Sequence, residues 1–181
     1  MYGVAIRAPS AGRAPEAWRA TASYSLMSSR SREMEGFIVK RVLGGGVAAP
    51  LEVRFVTSNE GKVREANIIF KQFSLIAVPH PARKLELQSD KLEEVASYAA
   101  QSLIGRVPEP FFVEDSGLFI YSLRGFPGPY SSYVYRTIGL DGVLKLMEGV
   151  EDRRAKFVAV AALCVGGRVR VFRGEVEGVI A

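Results

Sequence analysis

The chain changes hydrophobic period twice between Leu51 and Val78, and no other feature limits its fold as much. Leu51, Val53 and Phe55 alternate with Glu52 and Arg54, the period-two pattern of a strand with one polar side. After Val56 and Thr57 the period becomes helical. Val63, Ala66, Ile69, Phe70 and Phe73 recur at three- and four-residue spacing and predict an amphipathic helix from about Glu60 to Phe73. Leu75–Val78 returns to a short apolar strand. A strand, a one-sided helix and a second strand in succession imply a sheet with helices packed on its faces.

The pattern continues. Asp90 followed by Glu93 resembles a capping box, and Leu92, Val95, Ala96, Ala99 and Leu103 give a second helical stripe ending near Gly105 and Pro108. Phe111–Val113 reads as a short apolar strand leading into Glu114-Asp115-Ser116-Gly117. Beyond Leu118–Leu123 lies a turn-rich stretch, Arg124 to Tyr130, then a helical region over Ser131–Met147 broken near Gly139. Lys156–Val165 and Arg168–Val179 read as two long strands of a hairpin joined at Gly166-Gly167. The expected class is α/β or mixed α+β, without internal repeats.

Residues 1–50 have no sustained period; they are rich in Ala, Arg, Ser, Gly and Pro and end in Gly44-Gly45-Gly46 and Pro50. They read as a disordered leader or linker, or as a misassigned start with Met34 as an internal alternative; Phe37–Val42 is the one strand they suggest. The folded domain is then 51–181, within the usual roughly 100–200 residues of a single domain.

Composition removes several chemistries. The single cysteine, Cys164, excludes an internal disulfide and a Cys-based zinc site, and the single histidine, His80, excludes multi-histidine metal sites. His80 lies between two prolines and reads as a loop residue, Cys164 as a core thiol. No run approaches the roughly 18 apolar residues of a membrane-spanning helix, and no compact apolar segment marks a secretory signal. Residues 1–50 hold seven Lys/Arg against three acids (+4), and residues 51–181 hold seventeen against sixteen (+1). Charge alone therefore does not imply a nucleic-acid surface on the folded part. There is no G-x-S-x-G elbow, Walker A loop or G-x-G-x-x-G fingerprint.

What remains are carboxylates, lysines and polar strand ends, which suit a hard cation and phosphate oxygens. Thr57-Ser58-Asn59-Glu60-Gly61-Lys62 closes the first strand and opens the first helix, where free N–H groups and partial positive charge favour an anion. The competing reading makes Ser58 or Asn59 a plain helix cap and leaves Lys62 solvated. Glu114 and Asp115 follow a buried-type strand, and adjacent strand residues point to opposite sides, so one acid can face a cleft. The competing reading there is a turn capped by Asp115. Glu86, between Leu85 and Leu87, is a third acid in an apolar setting or an exposed strand position. The Phe126–Tyr130 loop could wall a pocket or simply stiffen a turn.

Four ordered motifs carry a resemblance: F-V-T-S-N-E-G-K-V-R-E (Phe55–Glu65), L-E-L-Q-S-D (Leu85–Asp90), F-V-E-D-S-G-L (Phe112–Leu118) and G-F-P-G-P-Y-S-S (Gly125–Ser132). Together they resemble the inosine triphosphate pyrophosphatase (Ham1-like) family, closest in flavour to its archaeal members, across Val53 to Gly178. Phe172-Arg173-Gly174-Glu175 resembles the family's late strand. The resemblance implies an elongated mixed-sheet α/β fold (ITPase/Maf-like) with two lobes around a nucleotide cleft, usually a cytoplasmic homodimer. It implies Mg²⁺-dependent hydrolysis of ITP, dITP or XTP to the monophosphate and pyrophosphate. In that frame Thr57, Ser58, Asn59, Glu60, Gly61 and Lys62 bind the triphosphate, and Glu86 and Asp115 hold Mg²⁺. Asp115 also orients or deprotonates the attacking water, while Ser116 and Ser132 lie on the substrate side.

Two departures stand out. The family's phosphate-contacting lysine of the second helix is matched here by Ala99. The later G-F-G-[YFW]-D-P and S-H-R segments, which in the family read base and phosphates, do not occur before Ala181. The sequence therefore also admits an inactive, C-terminally incomplete member, and a basic nucleotide- or nucleic-acid-binding module is the alternative from another class.

Overall fold

The computed structural model describes residues 50–181 together with Glu33 and Gly36. The possible strand at Phe37–Val42 and nearly all of the leader lie outside the described residues. Strand β1 (Leu51–Phe55) leads into helix α1 (Glu60–Phe70), which tightens into a 3₁₀ turn at Lys71–Phe73. Ser74 reverses the chain in the left-handed region (φ 53°), and β2 (Leu75–Pro79) follows. Helix α2 (Leu92–Gln101) precedes β3 (Phe111–Ile120), the two-residue β4 (Pro127–Gly128), α3 (Ser131–Thr137) and α4 (Gly139–Leu146). A hairpin of β5 (Arg154–Val165) and β6 (Arg168–Val179) completes the sheet. No helix among the described residues is long and apolar enough to cross a membrane.

The sheet order is β2-β1-β3-β5-β6, with β4 on β3. The β1–β2 and β1–β3 pairs are parallel, while β3–β5, β5–β6 and β3–β4 are antiparallel. This is an α/β architecture, as the periodicities predict, built on the mixed sheet that the resemblance implies. Each face carries its own core. On one face Ala66, Ile69 and Phe70 of α1, with Val134, Val143 and Met147 from the α3–α4 region, cover Val53, Phe55, Phe112 and the odd-numbered residues of β5. On the other, Leu92, Ala96, Ala99, Ala100 and Leu103 cover Phe111, Val113 and the even-numbered residues of β5. Burial on both faces explains why β5 reads as an unbroken apolar run. The Phe112 ring lies 4.2 Å from Phe55 and 5.5 Å from Phe70, centroid to centroid, and locks β3 to β1 and α1. On the edge strand, the Asn67 side chain exchanges two hydrogen bonds of 2.8 Å with the backbone of Ala77, tying α1 to β2.

Two local expectations change and a third holds. The Asp90–Glu93 capping box does not form. Lys91 occupies the N-cap position without a side-chain cap, and Ser89 Oγ bonds both Lys91 N–H and Glu94. The Glu93 carboxylate is engaged instead by Arg173 on β6 at 2.5 Å, a charged partner worth more than a backbone amide. The break near Gly139 is real, with Gly139 at φ 66° between α3 and α4. The largest change concerns β3. It runs for ten residues, not three, so Glu114 and Asp115 lie inside a strand and not in a turn. The reason is non-local: β5 pairs with β3 along its whole length, from Phe111 opposite Cys164 to Ile120 opposite Ala155.

Candidate active site

That long strand creates an opening in the sheet. β1 pairs with β3 only at Phe111 and Phe112, and the Val56 N–H to Phe112 carbonyl bond of 3.0 Å is the last rung. β4 takes up the same edge of β3 again at Leu118 and Phe119. Between these points, residues 113–117 have a strand neighbour on one side only, β5. Glu114, Asp115 and Ser116 thus sit where the parallel strand β1 ends, the place at which open α/β sheets gather ligands.

The opening requires glycine at position 117. A Cβ there would collide with the Gly128 carbonyl of β4 and approach the Phe119 ring at 3.3 Å. Close approach of β4 also sets the loop that follows. Ser131 is buried; its Oγ donates to the Gly128 carbonyl at 2.6 Å and accepts from the Leu118 N–H at 2.8 Å. Ser131 therefore fixes the Gly125–Ser132 loop against β3, while Ser132 beside it is exposed.

The turn from β1 to α1 forms the second wall. Asn59 is the N-cap, its side-chain oxygen accepting from Gly61 N–H at 2.9 Å and Lys62 N–H at 3.3 Å. Thr57 Oγ1 accepts from Asn59 N–H at 3.1 Å. The capping reading of this segment is thus correct for Asn59, but its companion, a solvated Lys62, is not. The Lys62 ammonium is hydrogen-bonded to the Glu114 carboxylate, whose side chain is only 1% exposed. Ser58 and Glu60 remain exposed at the helix start.

Asp115 projects to the opposite face of the strand, as alternation requires. There Lys84 Nζ meets both carboxylate oxygens, at 2.9 and 3.1 Å. Burial pushes the Asp115 carboxyl above its usual range, and the Glu114 charge adds to this; Lys84, and more weakly Lys62, pull the other way without cancelling it. Two acids and two ammonium groups therefore alternate around the β3 opening: Lys62–Glu114 on the α1 side, Lys84–Asp115 on the other.

Lys84 has no motif in its favour. It lies in the extended segment between β2 and α2, next to Arg83, and nothing local distinguishes one base from the other. Its role is visible only once the segment is folded back, with His80 N–H on the Phe55 carbonyl at 2.9 Å and Leu85 N–H on Ser102 Oγ at 3.5 Å. Glu86, in the same segment, is exposed and makes no hydrogen bond or ion pair with a described residue. No group of three or more His, Cys, Asp or Glu suited to a metal occurs among the described residues. Ser116 is half-buried on β3, on the Glu114 side by alternation. Ala99 is buried in the core and Cys164 is fully buried within β5.

Comparison with known proteins gives a consistent picture. The Ham1 family model matches residues 53–181. A dITP/XTP pyrophosphatase of Ignicoccus hospitalis is 54% identical over 132 residues, spanning 72% of this chain and 70% of that protein. One from Pyrococcus horikoshii is 51% identical over 131 residues, with 72% and 70% covered. Among solved structures, a Ham1 protein from Coxiella burnetii superposes with a TM-score of 0.63 at 25% identity, covering 72% of this chain and 73% of that one. The Staphylococcus aureus Ham1 protein gives 0.61 at 26% identity, with 72% of each chain covered. With the family model running from within β1 through β6 and relatives at half identity, this chain belongs to the Ham1 family.

Proposed function

We propose that this chain is a nucleoside triphosphate pyrophosphatase that hydrolyses the non-canonical purine nucleotides dITP, ITP and XTP to the monophosphate and pyrophosphate. The observation that carries the reading is the opening in the sheet at β3, flanked by the capped start of α1 and the Lys62–Glu114 pair on one side and by Asp115 on the other. The relatives of about half identity, named dITP/XTP pyrophosphatases, supply the substrate class. They also leave the nucleic-acid-binding alternative without support.

In this reading residues 57–62 hold the triphosphate. Helix N–H groups and the Lys62 ammonium offset the charge that gathers on the pyrophosphate leaving group. Asp115 aims the attacking water and accepts its proton, a task suited to a carboxylate whose burial raises its basicity. Ser116 and Ser132 line the substrate side.

The donors also fit Mg²⁺. They are hard oxygens, and Mg²⁺ binds through one or two carboxylates while keeping waters and substrate phosphates as its other ligands. Asp115 and the exposed, unengaged Glu86 would hold it. When bound, the ion supplies positive charge that stabilises the phosphate oxygens. Residues 51–181 belong to the family domain in this reading, and the enzyme acts as a homodimer in the cytoplasm.

The test is release of pyrophosphate, not orthophosphate, from dITP and XTP in the presence of Mg²⁺, with dATP and dGTP as comparators. Asp115→Asn should abolish the release while leaving the circular dichroism spectrum unchanged. A folded wild-type protein that turns over neither dITP nor XTP would remove the enzyme reading.

A further inference from the structure

The contact between Lys84 and Asp115 takes no part in the chemistry above, yet it occupies both oxygens of the carboxylate on which that chemistry turns. Neither side chain is sealed: 23% of Lys84 and 24% of Asp115 is exposed. The backbone carrying Lys84 is anchored, with Ala82 packed on the α2 core and Leu85 tied to Ser102, whereas the side chain itself is a four-carbon stem free to swing. The ammonium bridges both oxygens and so sits on the open side of the carboxylate, where a divalent cation contacting both oxygens would also bind. It would also repel a like charge at contact distance.

We propose that Lys84 is an internal counter-ion of Asp115 that a divalent cation must displace, so that the cation and Lys84 exclude one another at this carboxylate. Lys84 is then a positioning residue. It holds Asp115 in place before loading, and it disfavours free metal relative to metal delivered with a polyanionic nucleotide, whose phosphates accept the displaced ammonium. The proposal rests on the reading of Asp115 as a metal ligand.

Mn²⁺ binding to the full chain without nucleotide, followed by titration calorimetry and electron paramagnetic resonance, tests it. Lys84→Met should bind Mn²⁺ on the order of tenfold more tightly, the factor corresponding to about 1.4 kcal/mol. Lys84→Arg, which keeps the charge, should bind no more tightly than the wild type, and Asp115→Asn should lose the site. If Asp115→Asn loses Mn²⁺ but Lys84→Met binds it no better than wild type, the exclusion is overturned while Asp115 remains a metal ligand. If no protein shows binding sensitive to Asp115→Asn, both statements fall. Amine acetylation of the wild type gives a readout that needs no variant to fold. Mg²⁺ should increase labelling of Lys84, and unchanged or reduced labelling overturns the proposal.

Discussion

Replacing Lys62 by Met should destabilise the fold by an amount that the geometry sets. The Glu114 side chain keeps only 1% of its surface in solvent, and the Lys62 ammonium is its bonded counter-charge. Removing one partner of a buried ion pair costs about 3–5 kcal/mol, because the remaining charge is left in a low-dielectric site. Lys62 itself is 24% exposed, so solvent screening lowers the expected loss. We take about 2–3 kcal/mol. For a domain of this size that is a fall in Tm of roughly 10 °C. Urea unfolding followed by circular dichroism measures the free energy directly. The same experiment in high salt should give nearly the same loss, since buried pairs are poorly screened. The double variant Lys62→Met/Glu114→Gln removes the stranded charge and should recover at least about 1 kcal/mol relative to Lys62→Met alone. A Lys62→Met protein within about 0.5 kcal/mol of wild type, the range of ordinary surface changes, would refute the reasoning, as would a double variant no more stable than the single one.

Other perturbations follow from the same structure. Burial raises the Asp115 carboxyl despite Lys84, so the folded state holds this proton more tightly than the unfolded state, and ionisation costs stability as pH rises through the folded value. Asp115→Asn should therefore be more stable than wild type at pH 7, with the gap closing near pH 3; a gap that widens on acidification would contradict this. Gly117→Ala should cost about 1–3 kcal/mol by overpacking against the Gly128 carbonyl, and hydrogen exchange should show the Gly125–Ser132 loop loosened. Burial pushes the Glu93 carboxyl up but Arg173 outweighs it, and Arg173 holds Glu175 low as well. Their contribution is present above the ordinary carboxylate value and is lost as pH falls through the depressed values. Arg173→Met should thus lower stability at pH 7 and leave it almost unchanged near pH 2, as acid titration of the thermal melt would record.

Local pattern carried much of the fold. The alternation at Leu51–Phe55 and the helical stripes beginning at Val63 and Leu92 placed three elements to within a few residues, because one face of each is buried and the period records which face. The Gly166-Gly167 turn placed the long hairpin as directly. The polar residues of the site were also legible as chemistry at strand ends. Their partners were not. An anion-binding helix start and a plain cap with a solvated Lys62 were the open alternatives, and neither pairs Lys62 with Glu114, 52 residues away in sequence.

By itself the sequence determined the alternation of elements, the long closing hairpin and the oxygen-and-ammonium character of the site, since each depends on residue type and short-range spacing. Tertiary structure alone decided that β3 runs on through Glu114 and Asp115, because the hydrogen bonds that make it a strand come from β5. It alone brought Lys84 to Asp115 across 31 residues of sequence. An ion pair between distant segments is set by how the chain returns upon itself, and no local period records that path.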